Sequence, residues 1–214
     1  MKHNSNPVMA MDLPGKDTLT YLALGDSYTI GQSVRQEERY PNQLVRRLRA
    51  DSLVYKDPDI IAVTGWTTTN LLAAMPASVP VPYHLVSLLI GVNNQYQHHS
   101  QADYRSEFTS LLQQAILLAG NRPSHVIVLS IPDYSVTPFA KGSNTVLIAS
   151  QIDSFNSINR EIASAYQVPY VDITGESRKA ADDPTLIAVD SLHFSGREYD
   201  IWAGMMERYI RNIR

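Results

Sequence analysis

Five short apolar runs, separated by amphipathic segments, constrain the fold of this chain more than any other feature of its sequence. The runs span residues 21–24, 60–63, 85–90, 126–131 and 168–173. Continuous apolar runs of this length are typical of parallel strands that are buried on both faces. The segments between them are typical of connecting helices. The alternation predicts a three-layer α/β protein, in which helices cover both faces of a central parallel sheet of about five strands.

Helices are predicted around residues 41–50, 68–74, 102–118, 147–166 and 196–213. Pro41 suits the first turn of a helix, and Gly120 suits the position just after one. The longest irregular segment spans residues 132–144, where two prolines and Gly142 oppose helix formation. Long irregular segments often border binding sites, so this one is a candidate wall of a pocket.

The length of the chain fits a single domain. With 214 residues and a mass of 23.9 kDa, it is long enough for one well-formed core and short for two. Its first residues are mostly polar or small. We therefore expect a polar N-terminal tail over residues 1–18 and one domain over residues 19–214.

The balance of charge argues against a nucleic-acid partner or a membrane surface. The chain has 21 acidic and 18 basic residues and a net charge of -3, without long blocks of one sign. Arg46, Arg47 and Arg49 form a basic cluster, but they fall in an amphipathic helical pattern. We interpret them as an exposed helix face.

Cysteine is absent, which excludes disulfides, thiolate metal sites and a cysteine nucleophile. No segment has the length and apolarity of a membrane span, and residues 1–18 lack the apolar core of a signal peptide. We therefore expect a cytoplasmic protein, unless a leader was removed or Met9 or Met11 is the natural start.

Polar residues and glycines follow the predicted strands at the edge of the sheet where ligands bind. Loops and helix N-termini converge at the carboxyl ends of parallel strands. One residue of interest follows each of the first three runs, and two precede the last predicted helix. In chain order they are Ser27, Gly65, Asn93, Asp190 and His193.

These residue types are the parts that acyl transfer requires. His193 can accept the proton of Ser27, and Asp190, three residues earlier, can fold back to hold the imidazole in the required tautomer. The amides of Ser27 and Gly65 and the side chain of Asn93 can surround the negative oxygen that forms on the substrate carbonyl. The pattern predicts a serine nucleophile with a catalytic triad and an oxyanion hole.

The chain resembles the SGNH, or GDSL-like, hydrolases, which are named for blocks that carry serine, glycine, asparagine and histidine. The similar blocks are Gly25-Asp26-Ser27, Gly65, Gly91-x-Asn93 and Asp190-x-x-His193. The resemblance runs from about Tyr21 to the last helix. It implies a flavodoxin-like SGNH-hydrolase fold, with Ser27 as nucleophile, His193 as base and then acid, and Asp190 as its orienting partner. It also implies an oxyanion hole formed by Ser27, Gly65 and Asn93.

Two positions depart from the family pattern, and one alternative fold uses the same chemistry. Tyr28 stands where the family motif has leucine, and Asn94 stands where aspartate is frequent. The α/β-hydrolase fold places its serine in a Gly-x-Ser-x-Gly turn. The two segments that come closest, 25–29 and 31–35, do not end in glycine, which argues against that fold.

Each candidate also has an ordinary structural interpretation. Ser27 or Asp26 can cap the helix or turn after the first strand, and Asn93 can be a turn residue. Asp190 and His193 can form a loop ion pair. The combination of four blocks favours the functional interpretation. Asp133, after the fourth run, is interpreted as a turn residue.

Aromatic and polar neighbours of the blocks are candidates for a substrate pocket. Tyr28, Trp66 and Asn94 are predicted to line it, and Tyr96 is a further candidate. For the aromatic residues, filling of the core is an equally good interpretation. His98 and His99 invite a metal interpretation, but adjacent side chains point in different directions and no further ligand spacing supports it.

We therefore expect a serine esterase that needs no metal or cofactor and acts on a small-molecule ester, with short acyl chains preferred. The same residues would serve a carbohydrate O-deacetylase, a thioesterase, a lysophospholipase or an acyltransferase. A non-catalytic ligand-binding protein of the same fold is a less favoured alternative, because no member of the triad or oxyanion hole is missing. The sequence predicts no oligomeric state.

Overall fold

The structure, a computed structural model, describes residues 18–212 of the chain. Residues 1–17 of the predicted polar tail lie outside the described residues, as do residues 213 and 214 at the end of the predicted domain. The bounds predicted for the tail and the domain therefore remain predictions.

Five parallel strands form one sheet, which confirms the predicted α/β fold. The strands are β1 (Tyr21–Gly25), β2 (Asp59–Ala62), β3 (Leu85–Leu89), β4 (Val126–Leu129) and β5 (Tyr170–Val171). Their order is β2-β1-β3-β4-β5, and Leu24 pairs with Ile61 on one side and with Leu88 on the other. Strands β1, β3 and β4 are buried along their whole length, because helices cover both faces of the sheet.

The long helices lie close to their predicted positions. They are α2 (Tyr40–Ala50), α3 (Thr68–Ala74), α5 (Gln101–Leu118), α6 (Thr145–Ala165) and α8 (Gly196–Asn212). Helix α2 packs against α8, and α5 packs against α3 and α6. None of the helices in residues 18–212 has the length and apolarity needed to cross a membrane.

Three short helices begin just beyond strand ends and were not predicted. They are α1 (Ser27–Ile30), α4 (Val92–Tyr96) and α7 (Thr174–Ser177). Helices of four or five residues are too short to display a helical period in the sequence. The irregular segment 132–144 contains two single 3₁₀ turns, at Tyr134–Val136 and Pro138–Ala140.

The last strand is shorter than the predicted run over 168–173. Only Tyr170 and Val171 pair with β4. The hydroxyl of Ser130 accepts hydrogen bonds from the backbone amides of Ile173 at 2.8 Å and Thr174 at 3.0 Å. Because a side chain takes these amides, the ladder ends and the chain turns into α7.

The end of β1 leaves no room for a side chain at Gly25. A Cβ atom there would lie 2.1 Å from Thr29 Oγ1 and 2.3 Å from the carbonyl oxygen of Leu89. The glycine therefore allows α1 to begin almost directly after β1 and close against the end of β3.

The strand order places a crevice at the carboxyl ends of β1 and β3. Strand β2 lies beside β1 on one side, and the chain then crosses over to form β3 on the other side of β1. At such a reversal the connections leave in opposite directions, and parallel sheets bind their ligands in the resulting crevice. Ser27 follows β1 and Asn93 follows β3 at this point.

Candidate active site

Ser27 is the first residue of α1 and is almost completely buried. Asp26 caps the helix, because its Oδ1 accepts a hydrogen bond from the amide of Tyr28 at 3.0 Å. Of the two caps that the sequence offered, Asp26 is the one observed, and Ser27 does not cap the helix. The side chain of Ser27 instead lines a cavity at the carboxyl edge of the sheet.

Asp190 and His193 form a compact turn before α8. Oδ2 of Asp190 lies 2.6 Å from Nδ1 of His193. Its Oδ1 accepts hydrogen bonds from the backbone amides of Leu192 at 3.0 Å and His193 at 2.9 Å. The carboxylate thus holds both the turn and the imidazole, and it leaves Nε2 of His193 as the ring nitrogen able to act as a base.

The ionised form of Asp190 is strongly favoured. Partial burial opposes ionisation, but hydrogen bonds from Ser33, the Leu192 amide and His193 outweigh it and hold the pKa of Asp190 well below its usual value. A charged carboxylate at this position stabilises a protonated imidazole, as the proton transfer from a serine requires.

The loops after β2 and β3 are joined by hydrogen bonds. Gly65 has a φ of 86°, a conformation that side chains rarely adopt, and a Cβ atom there would meet no atom within 4 Å. Nδ2 of Asn93 donates to the carbonyl of Trp66 at 2.9 Å. One hydrogen of the Asn93 amide is used in this bond, and the second is available to a ligand.

Two residues predicted to line the substrate pocket lie elsewhere. Asn94 is buried and exchanges hydrogen bonds with Thr68, at 3.0 Å from the Thr68 amide and 2.7 Å to its hydroxyl. Successive residues of a helix point about 100° apart, so Asn94 faces the core when Asn93 faces the cavity. Trp66 packs against the core and contributes its carbonyl to Asn93. Both residues support the loops and do not line the cavity.

One cavity of about 160 Å³ collects the remaining candidates except Asp190, which reaches it through His193. Ser27, Tyr28, Gly65, Asn93 and His193 all line it. Tyr28 also packs edge-on against the imidazole of His193, with ring centroids 5.6 Å apart. In the described part of the chain, Ser27 and His193 share the cavity without a direct hydrogen bond. Such bonds often form only when substrate is present.

The outer wall of the cavity is aromatic. The sequence predicted that segment 132–144 would border a pocket, but it did not identify the two aromatic residues of that segment. Tyr96, Tyr134 and Phe139 line it, and their ring centroids lie 6.2–6.3 Å apart. Tyr134 and Phe139 come from the irregular segment 132–144, and the exposure of Phe139, 46%, is unusual for so large an apolar side chain. Thr64, Val92 and Leu192 complete the lining. Among the described residues, no Lys, Arg, Asp or Glu lines this cavity.

Asp133 stays outside the cavity lining and acts as the predicted turn residue. Its Oδ1 accepts the amide of Ser135 at 2.9 Å, and its Oδ2 pairs with Nε of Arg178 at 2.8 Å. Within residues 18–212, no group of three or more His, Asp or Glu side chains is arranged to hold a metal ion.

Asp26, next to Ser27, has an environment opposite to that of Asp190. It is buried, and its Oδ2 has no hydrogen-bond partner among the described residues. Burial raises the pKa of Asp26 to about 7, although the amides of Tyr28 and Gly91 favour its charged form. The carboxyl beside Ser27 is therefore largely protonated below neutral pH.

The sequence matches the model of one protein family. Residues 23–201 match the GDSL-like lipase/acylhydrolase family. A comparison with curated proteins finds no match. The matched range contains all four blocks, from Gly25 to His193.

Solved structures with the same fold include known esterases. The crystal structure of TesA is 17% identical, with a TM-score of 0.71 over 91% of this chain and 99% of TesA. The acetyl xylan esterase AlAXEase is 16% identical, with a TM-score of 0.69 over 90% of this chain and 100% of that one. The lipase/acylhydrolase from Enterococcus faecalis is 19% identical, with a TM-score of 0.65 over 92% and 97%. These likenesses establish the shared fold.

The raised pKa of Asp26 predicts a pH-dependent stability that Asp26→Asn removes. Folded Asp26 holds its proton up to about pH 7, whereas an unfolded aspartate releases it near pH ~4. The folded state binds more protons in this range, so this contribution to the free energy of unfolding is lost as the pH rises towards 7. Asparagine keeps the oxygen that caps α1 but cannot ionise.

Urea unfolding of both proteins at pH 5 and pH 8 measures this effect. We expect the stability of Asp26→Asn relative to wild type to increase by about 2–3 kcal/mol between the two pH values. Burial also raises the pKa of Glu198 to about 7. Glu198 is present in both proteins, so its contribution to the pH dependence cancels in the difference between their stabilities. A stability difference that does not change with pH would contradict the prediction.

Proposed function

The chain belongs to the GDSL-like lipase/acylhydrolase family and is an ester-bond hydrolase. We propose that it cleaves carboxylic esters through an acyl-enzyme on Ser27. The main support for this proposal is a single cavity lined by four of the predicted site residues. Ser27, Gly65, Asn93 and His193 line it together, although they come from four segments of the chain. The substrate is a small molecule.

In the first half of the reaction, Oγ of Ser27 attacks the ester carbonyl carbon while Nε2 of His193 takes the hydroxyl proton. Asp190 holds the other ring nitrogen at 2.6 Å and stabilises the imidazolium. His193 then gives the proton to the leaving alcohol, and the acyl group stays on Ser27. In the second half, water attacks the acyl carbon while His193 takes its proton. The bond to Ser27 Oγ then breaks, His193 returns the proton to Oγ, and the acid is released.

The negative oxygen of the tetrahedral intermediate needs donors that are already in position. We assign this task to the amides of Ser27 and Gly65 and to Nδ2 of Asn93. The bond from Asn93 to the Trp66 carbonyl supports this assignment, because it fixes the amide plane and leaves one hydrogen for the substrate. The hydrogen bonds between Asn94 and Thr68 hold the two loops in register.

The cavity favours a short, uncharged acyl group. Its volume of about 160 Å³ is small beside the ~300–1,000 Å³ of typical ligand pockets. Its outer wall is formed by Tyr96, Tyr134 and Phe139. A long acyl chain, as in a lysophospholipid, would have to extend past this wall.

A carbohydrate O-deacetylase is the second candidate. An acetyl group fits the small cavity, and the exposed rings of Tyr96 and Phe139 offer flat apolar surfaces beside it, on which the apolar face of a sugar can pack. The solved structures with the same fold include acetyl xylan esterases.

Replacement of Ser27 tests the proposed nucleophile. We expect Ser27→Ala to lower hydrolysis of p-nitrophenyl butyrate by at least about 10³-fold, because Ser27 carries the acyl group in the proposed mechanism. A fluorophosphonate probe should label the wild type at Ser27 and leave Ser27→Ala unlabelled. Ser110→Ala, which removes an exposed hydroxyl on α5, is the control. Turnover in Ser27→Ala equal to that of wild type would refute the mechanism.

Replacement of Phe139 tests the proposed acyl site. A series of p-nitrophenyl esters from acetate to decanoate should show highest kcat/KM at the short end in the wild type. Phe139→Ala opens the outer wall and should raise the ratio of octanoate to butyrate activity by about threefold or more. Val146→Ala removes an exposed apolar side chain that does not line the cavity and should leave the ratio unchanged. An unchanged ratio in Phe139→Ala would contradict the assignment, and hydrolysis of acetylated xylose above all nitrophenyl esters would favour the deacetylase.

A further inference from the structure

Ser33 reaches the Asp190 carboxylate from a distant part of the sequence. Its hydroxyl donates to Asp190 Oδ2 at 2.5 Å, although 157 residues separate the two in the chain. Oδ2 is the same oxygen that holds Nδ1 of His193. Hydrogen bonds to a charged carboxylate are among the stronger ones in proteins.

With Ser33 included, both oxygens of Asp190 are fully engaged. Oδ1 accepts the amides of Leu192 and His193, and Oδ2 accepts the imidazole and the hydroxyl of Ser33. The two amides come from the same turn as Asp190 itself. Within residues 18–212, Ser33 is thus the one donor to this carboxylate from outside the turn.

The turn that carries Ser33 is built to hold its side chain in place. Ser33 has a φ of 66°, an uncommon conformation for a residue other than glycine. Gly31, two residues earlier, also has a positive φ, of 69°. The amide of Gln32 donates to the carbonyl of Ser27 at 2.9 Å. The side chain of Gln32 accepts from the hydroxyl of Thr64 at 2.8 Å.

The turn 31–33 therefore contacts three parts of the candidate site. Gln32 bonds to the Ser27 carbonyl and to Thr64, the residue before Gly65, and Ser33 bonds to Asp190. A rotation of the Asp190 carboxylate away from His193 would break the bond to Ser33. Ser33 does not line the cavity, so it does not face the substrate.

We propose that Ser33 is a positioning residue, which orients the Asp190 carboxylate so that Oδ2 faces the imidazole of His193 during turnover. This inference rests on the proposed function of Asp190 and His193. Ser33 acts through Asp190 and transfers no proton itself. Its loss should therefore lower turnover and leave substrate binding unchanged.

Two variants that remove the hydroxyl test this role. Ser33→Ala retains a side chain at the positive φ, whereas Ser33→Gly suits that conformation and keeps the turn. We expect each to lower kcat for p-nitrophenyl butyrate by about threefold to tenfold, with KM unchanged. Ser52→Ala is the matched control, because Ser52 is an exposed serine with the same φ of 66° at the opposite end of the sheet. It should keep wild-type kcat.

A double-mutant cycle separates positioning from a general effect on the fold. If Ser33 acts through Asp190, Ser33→Gly should not lower kcat further in an Asp190→Ala protein. The inference is overturned by wild-type kcat in both Ser33 variants, by a change confined to KM, or by an equal loss in the Asp190→Ala background. Ser27→Ala is assayed alongside. If Ser27→Ala keeps the activity of the wild type, the proposed function is wrong. If Ser27→Ala is inactive and the Ser33 variants are unaffected, only the role of Ser33 is wrong.

Discussion

Parallel pairing of β1 with both β2 and β3 decides where the polar groups of the candidate site lie. The carboxyl ends of three adjacent strands come to one edge, and a short helix or a turn follows each of them. The absence of a side chain at Gly25 lets the chain turn sharply after β1, close to the carbonyl of Leu89. Ser27, Gly65 and Asn93 meet at this edge because the sheet fixes the starting points of their loops.

Burial and hydrogen bonding give two aspartates of the site opposite properties. Asp26 is enclosed with one oxygen unpartnered, and burial raises its pKa to about 7. Asp190 is only partly buried, and its donors hold its pKa well below the usual value. A carboxylate that is to stabilise a protonated histidine needs the second environment. The first environment suits a residue that shapes the turn after β1 and adds no charge beside the serine below neutral pH.

Much of this site is predictable from sequence because its chemistry is carried by short local patterns at strand ends. The three-residue spacing of Asp190 and His193 is itself enough to bring carboxylate and imidazole together. Local patterns do not give the direction of a side chain on a helix too short to predict, which is why Asn94 was expected in the pocket and lies in the core. They also miss contacts across the fold. Ser33 and Asp190 are far apart in the sequence, as are Tyr96 and Phe139, and only the folded chain brings each pair together.

The proposed mechanism requires that Ser27, His193 and the donors at Gly65 and Asn93 act on one carbonyl group. A crystal structure of the protein inhibited by a p-nitrophenyl phosphonate tests it most directly, because the phosphorus mimics the tetrahedral intermediate. We expect a covalent bond to Ser27 Oγ, the phosphoryl oxygen at about 2.7–3.1 Å from the Gly65 amide and Asn93 Nδ2, and His193 Nε2 on the side of the departing alcohol. Modification of another residue, or a phosphoryl oxygen that points away from Gly65 and Asn93, would contradict the account.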